Sequence, residues 1–271
     1  MRFSVTVAEN TSMKVPVLLS GDPSDIHLAK ELRYDACELH FDSADALVRS
    51  GLLSTLQAQS MEVSALATGR GYTKSKLSLI DEDANIRKRA VMFMSEFIEL
   101  AEKLKAHVIV GCIRGNLDDL RNQEEQVALL AQELRKLSSF AKTLGVSLVI
   151  EAINRYENNY LNTITELQSF IERYDLENVK ILIDSFHMNI EEGDIHQSII
   201  EAHESIGYVH VADSNRWPPG KGHFCFESFF KGLKDIHYKG YISAECLPLP
   251  SGEEAAEQWI TSMKTMERQY G

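Results

Sequence analysis

The chain has 271 residues, 44% hydrophobic and 25% charged, a balance that supports a packed core and excludes wholesale disorder. Forty acidic against twenty-eight basic residues leave a net charge of −12, which argues against a nucleic-acid binder, because that affinity rests on Lys and Arg neutralising phosphates. No stretch approaches the 18 or so apolar residues of a membrane span.

The N-terminus, Met1 to Val7, has no long apolar leader segment and enters a strand directly. Strands are predicted at Phe3–Val7, Ala36–His40, Glu62–Leu66, His107–Gly111, Val146–Ile150, Val179–Ile183, Tyr208–Val211 and Tyr241–Ala244. These are short apolar runs, several rich in Val or Ile, as strands buried on both faces of a parallel sheet require. Helical periodicity fills the intervals at Ser24–Arg33, Ala44–Gln59, Ala84–Lys105, Gln123–Thr143, Ile164–Tyr174, Ile195–Glu201, Glu227–Ile236 and Glu253–Gln269. Eight alternations make a single (β/α)8 barrel over residues 1–271 the expected α/β fold, a size such barrels commonly have. The alternative, a doubly wound sheet, wants a Gly-rich turn after its first strand, and Ala8-Glu9-Asn10-Thr11 is not one. The two long irregular stretches, Thr68–Asp81 and Ala212–Phe226, are candidate binding loops. Cys37, Cys112, Cys225 and Cys246 are widely spaced, with no Cys-x-x-Cys pair, and read as reduced thiols of a cytoplasmic protein.

In such a barrel the active site lies at the C-terminal ends of the strands. The residues found there are Glu151, Asp184, His210 and Glu245, at intervals of 33, 26 and 35 residues, each about one strand–helix unit. Any one of them alone reads as a salt-bridged strand end. Together, three carboxylates and an imidazole converging on one point form a hard, oxygen-rich ligand set for a divalent metal. Mn2+ is the first choice, with Mg2+ or Co2+ as alternatives and Zn2+ still open. Just beyond lie Glu157, His187 and Arg216, each open either to a role at the site or to a structural one.

The segments Glu151-Ala-Ile-Asn-Arg-Tyr-Glu157, Asp184-Ser-Phe-His-Met-Asn189, His210-Val-Ala-Asp-Ser-Asn-Arg216 and Gly222-His223 resemble the xylose isomerase-like barrel family of sugar isomerases and epimerases, within it the D-tagatose and D-psicose 3-epimerases. Thr68-Gly69 with Tyr72, Leu77-Ser78-Leu79, Arg114-Gly115 and Glu245-Cys-Leu-Pro-Leu-Pro250 are similar to the bacterial 5-keto-L-gluconate epimerases of that family. Ala152, where the family commonly has proline, and Cys225, where an acid is frequent, depart from the pattern without touching a ligand position.

The resemblance implies a metal-dependent epimerase that inverts a carbon alpha to a ketone through an enediolate. Glu151 and Glu245 would be the two bases on opposite faces, and Glu157, His187 and Arg216 would hold the carbonyl end of the sugar. A ketose–aldose isomerase with the same ligands is the main alternative. A DNA-repair endonuclease IV-like enzyme is a remote one that the charge opposes, and a metal-free binding barrel is a third.

The loop Asn215–Phe224 is expected to wall the site, with Trp217 as an apolar plate bracketed by Arg216 and His223; the alternative is an exposed loop with an anchoring tryptophan. Arg114, following the fourth strand, is expected on the catalytic rim, where it would pair with the carboxylate of a keto sugar acid such as 5-keto-L-gluconate, with Arg70 as a second contact. The bland alternative for Arg114 is a salt bridge to Asp118 or Asp119. Expected partners are therefore a keto sugar or keto sugar acid, neither nucleic acid nor membrane, and further copies of the chain in a dimer or tetramer.

Overall fold

Alternating short Val/Ile-rich runs and amphipathic segments build a closed barrel in the computed structural model, which describes residues 1–9 and 12–270. The strands are β1 (Arg2–Ala8), β2 (Leu19–Ser20), β3 (Ala36–His40), β4 (Glu62–Ala67), β5 (His107–Val110), β6 (Leu148–Glu151), β7 (Val179–Asp184), β8 (Ile206–His210) and β9 (Tyr241–Ala244). All pairings are parallel, and β1 pairs with β9, closing eight strands into a (β/α)8 barrel. The two-residue β2 is an addition to the expected eight, laid against the end of β1 through Val7 and Ala8. The turn Ala8–Thr11 lies partly outside the described residues.

The helices are α1 (Pro23–Glu31), α2 (Ala44–Arg49), α3 (Leu52–Ala58), α4 (Gly69–Thr73), α5 (Ala84–Leu104), α6 (Gln123–Thr143), α7 (Ile164–Arg173), α8 (Ser185–Glu191), α9 (Ile195–Ala202), α10 (Phe226–Asp235) and α11 (Gly252–Tyr270). Side-chain caps mark many of their starts. Asn122 accepts from the Glu124 and Glu125 amides, and Thr163 with Glu166 forms a reciprocal capping box. The helix expected over Ala44–Gln59 is broken in two at Gly51, whose φ of 79° is left-handed and ends the helical run. Among the described residues no helix is long and apolar enough to cross a membrane.

The main core lies between the sheet and the helical layer, where Leu39, Phe97, Ile150, Phe229 and Trp259 are buried. A smaller cluster of Ala65, Ala67, Ile109, Val149, Leu182 and Tyr208 fills the barrel itself. Polar side chains share that interior: Ser4, Thr6, Glu38, Ser64 and Ser243 are all buried there. Register then sets the chemistry. Asp184 at the end of β7 pairs directly with His210 at the end of β8, and His210 with Ser243, two residues before Glu245.

Candidate active site

Glu151 is the last residue of β6, Asp184 the last of β7, His210 the last of β8, and Glu245 follows β9 immediately. Each offers one ligand-type atom, and these four atoms lie within 4.8 Å of one another. Gly111 leaves space beside Glu151, since a Cβ there would stand 3.0 Å from Glu151 Oε2. Asp184 spends one oxygen on folding: Oδ1 accepts from the Phe186 amide at 2.7 Å and caps α8, a helix that starts directly after the strand and that sequence periodicity did not reveal. Its other oxygen, Oδ2, is free to face the ring.

The ring is buried and short of protons. Glu151 Oε1, Asp184 Oδ2 and His210 Nδ1 are buried without a hydrogen-bond partner. Nδ1 of His210 stands 3.6 Å from Glu245 Oε2 and 3.7 Å from Glu151 Oε1. Burial, with the Glu151 and Asp184 charges beside it, pushes the Glu245 carboxyl up to about 8 against the pull of His210 and Arg216. Burial also opposes ionisation of Glu151, yet His187 and His210 hold its carboxyl well below the usual range. Burial disfavours a charged His210 as well, and Glu38 with Glu245 and Glu151 raises it well above the ordinary histidine value. Without a cation, protons must fill this cluster. Unpaired acceptors turned toward one another are what a divalent cation satisfies, so the residues fit such an ion.

Around the ring, the structure brings Glu157, His187 and Arg216 together. Arg216 donates to Glu157 Oε1 at 2.8 Å and to Glu245 Oε2 at 3.0 Å, with its guanidinium 4.7 Å from the Phe186 ring centre. His187 Nε2 lies 3.5 Å from Glu151 Oε1 and 3.8 Å from Asp184 Oδ2. Asn154, not singled out from the sequence, orders this layer. Its side-chain nitrogen stands 3.1 Å from Glu157 Oε1 and 2.6 Å from His187 Nδ1, while its oxygen accepts from the Tyr156 amide. Donation to Nδ1 leaves the His187 proton on Nε2, pointing at the ring.

The loop carrying Arg216 is wound around Asp213. The Asp213 carboxylate accepts from the amides of Ser214, Gly220 and Phe224, and its own amide donates to Trp217 O. Gly222 lies so close that a Cβ would meet Asp213 Oδ1 at 2.4 Å. Arg216 sits at φ 62°, held by its amide donating to Asp213 O and by the Leu247 amide donating to its carbonyl. Trp217 is half-buried on this loop. His223 is exposed, and its Nδ1 stands 3.0 Å from Ser214 Oγ inside the loop rather than from any member of the ring.

The expectation for Arg114 is corrected. It lies on a single turn of 3-10 helix at Cys112–Arg114 and is 0% exposed. Its guanidinium donates to the carbonyls of Glu151, Tyr160 and Leu161 and to Asn158 Oδ1, tying the turn after β5 to the end of β6 and the loop that follows it. It makes no ion pair with Asp118 or Asp119, and its buried guanidinium is committed to those four acceptors rather than open on the rim. Arg70 is also engaged, at 2.8 Å from both Asp42 Oδ1 and Glu9 O.

The family described as xylose isomerase-like TIM barrel matches residues 26–269. The chain belongs to that family. It is 33% identical over 184 residues to a D-psicose 3-epimerase of Agrobacterium fabrum, covering 66% of this chain and 63% of that protein. It is 34% identical over 117 residues to the 3-dehydro-D-guloside 4-epimerase of Escherichia coli, covering 43% and 45%. The matched stretch thus spans just under two thirds of the D-psicose 3-epimerase and less than half of the 4-epimerase. A solved L-ribulose 3-epimerase superposes with a TM-score of 0.85 at 23% identity, covering 99% of this chain and 95% of that one, which places this family member's fold over nearly its whole length.

Proposed function

We propose that this chain is a divalent-metal-dependent sugar epimerase that inverts the carbon next to the ketone of a neutral ketose, a C3-type inversion. The observation that carries the reading is the pairing of two carboxylates, Glu151 and Glu245, delivered to one buried ring by β6 and β9 with two strands between them. The names of the relatives, ketose 3-epimerases and a 4-epimerase on a 3-dehydro sugar, point to the same chemistry.

Glu151, Asp184, His210 and Glu245 would hold the ion, with Mn2+ the first candidate and Mg2+ or Co2+ alternatives. Bound there, a divalent cation supplies positive charge where negative charge develops on the sugar oxygens as the alpha proton leaves. Inversion at a carbon that turns planar needs a proton taken from one face and returned to the other. One of Glu151 and Glu245 removes the proton and the other delivers one from the opposite side. Arg216 holds the Glu245 carboxylate in register while binding Glu157, and the Nε2 proton of His187 is aimed at the ring beside Glu151. Together Glu157, His187 and Arg216 orient the carbonyl end of the sugar and fix which carbon lies between the two bases.

Substrate choice follows from the cations. Arg114 is buried and committed to backbone carbonyls, Arg70 is engaged by Asp42, and Arg216 is divided between two carboxylates. An anionic sugar would add a charge to a ring that already carries three carboxyl groups, so a neutral ketose is favoured over a keto sugar acid. The test is a panel of neutral ketoses and keto sugar acids in heavy water with Mn2+-loaded protein, with products read by NMR. An epimer with solvent deuterium at the inverted carbon supports the reading. An aldose product would make the enzyme a ketose–aldose isomerase, and turnover confined to the acids would contradict the neutral substrate.

A further inference from the structure

Glu38 carries a buried carboxylate that the chemistry above does not use. It sits on β3 inside the barrel, and its oxygens accept three hydrogen bonds. Oε2 takes one from the Tyr208 hydroxyl and one from His210 Nε2, each at 2.9 Å, and Oε1 takes one from His40 Nε2 at 2.7 Å. An ionised carboxylate only accepts, so the facing nitrogen of each histidine must carry its proton. The rest of the network has one direction. Tyr208 gives its only proton to Glu38 and therefore accepts from Ser64 at 2.7 Å, which in turn accepts from Ser4 at 2.7 Å.

The backbone is shaped to allow this. The pairing of β3 with β4 shifts register between Cys37 and Glu38, so that Cys37 stands beside Val63 and Glu38 beside Ala65. Ser64 is left over by the shift and is buried in the interior, where it reaches Tyr208. With its Nε2 proton committed to Glu38, His210 has one nitrogen left. That nitrogen, Nδ1, is buried, unpartnered and turned toward Glu151 and Glu245.

We propose that Glu38 is the positioning residue of the metal centre: by holding the Nε2 proton of His210 it fixes the tautomer and ring orientation that present Nδ1 to the ion. This rests on the reading that Glu151, Asp184, His210 and Glu245 hold a divalent cation. Glu38 touches neither ion nor substrate and acts only through His210, as carboxylates behind metal-bound imidazoles do.

The test is Mn2+ titration of chelator-stripped protein by calorimetry, unmodified and as Glu38→Gln, which keeps the shape but weakens the acceptor. The expected result is binding about 10- to 100-fold weaker in Glu38→Gln. Equal affinities overturn the role of Glu38 while leaving the metal site standing; failure of the unmodified protein to bind Mn2+ overturns both. A second measurement needs no variant: long-range proton–nitrogen NMR of histidine-labelled, Mg2+-loaded protein. His210 should carry its proton on Nε2 with Nδ1 bare, and a proton on Nδ1 overturns the proposal.

Discussion

The Arg216 guanidinium donates to Glu245 Oε2 at 3.0 Å, so a loop residue at positive φ is tied to a carboxylate of the buried ring. Its other terminal nitrogen reaches Glu157. Replacing it as Arg216→Met leaves both acids without their cation. A hydrogen bond to a charged group contributes about 1.5–3 kcal/mol, so losing even one in the transition state should lower kcat/KM roughly 10- to 150-fold. Arg216→Lys keeps the charge but cannot span two carboxylates in one plane, and steady-state epimerisation rates should place it between the two.

Asp213 is expected to govern the loop more than the barrel. Burial opposes its charge, yet the amides of Phe224, Gly222, Ser214 and Gly220 hold the carboxyl below its ordinary value. A depressed folded-state value stabilises above the unfolded value of about 3.9 and loses that contribution as pH falls through the folded one. Stability measured from pH 5 downward should therefore fall less steeply in Asp213→Asn than in the unmodified protein. At neutral pH the variant should lose kcat/KM, and its melting temperature should fall by the contribution that the unmodified protein gives up only on acidification. Identical acid profiles would show that Asp213 is not the group being titrated.

Glu151→Gln and Glu245→Gln should each abolish turnover, since the proposed mechanism asks each residue to be both ligand and proton-transfer group. The barrel should still fold, as judged by circular dichroism, because the ring contributes unpaired polar atoms rather than core packing. Near-normal epimerisation by either variant would contradict a mechanism with two bases.

Arg114→Met should act on stability rather than substrate choice. It removes a buried cation from three carbonyls and one amide oxygen, leaving acceptors without donors. A loss of about 3 kcal/mol, roughly 6–12 °C in Tm, is expected, with equal effects on neutral and acidic sugars. A selective loss on keto sugar acids would restore the guanidinium to the rim.

The barrel and its ring of four were legible because both are periodic: each strand is an apolar run, and the ring residues stand at or just after the ends of four consecutive strands. Arg114 was not, because where a side chain goes after a strand depends on the turn and its neighbours, and here the loop after β6 buries it. Glu38 was hidden inside Ala36–His40, which reads as an ordinary buried strand until Tyr208, His40 and His210 are seen to converge on it. The break at Gly51 and the start of α8 at Asp184 are likewise local backbone events, with no change of hydrophobic period to announce them. Asp213 and Asn154 stood within the quoted motifs, but their work is hydrogen bonding to backbone and neighbours, which spacing does not display.

Hydrogen exchange at the carbon next to the ketone tests the proposed metal-dependent, two-base mechanism most directly. Chelator-stripped protein in heavy water, before and after addition of Mn2+, is incubated with a panel of neutral ketoses, and the sugars are followed by NMR. The expected result is no exchange without metal and, after reloading, an epimer carrying deuterium at the inverted carbon. Epimerisation that proceeds equally in stripped protein, or that keeps the original hydrogen throughout, would contradict it.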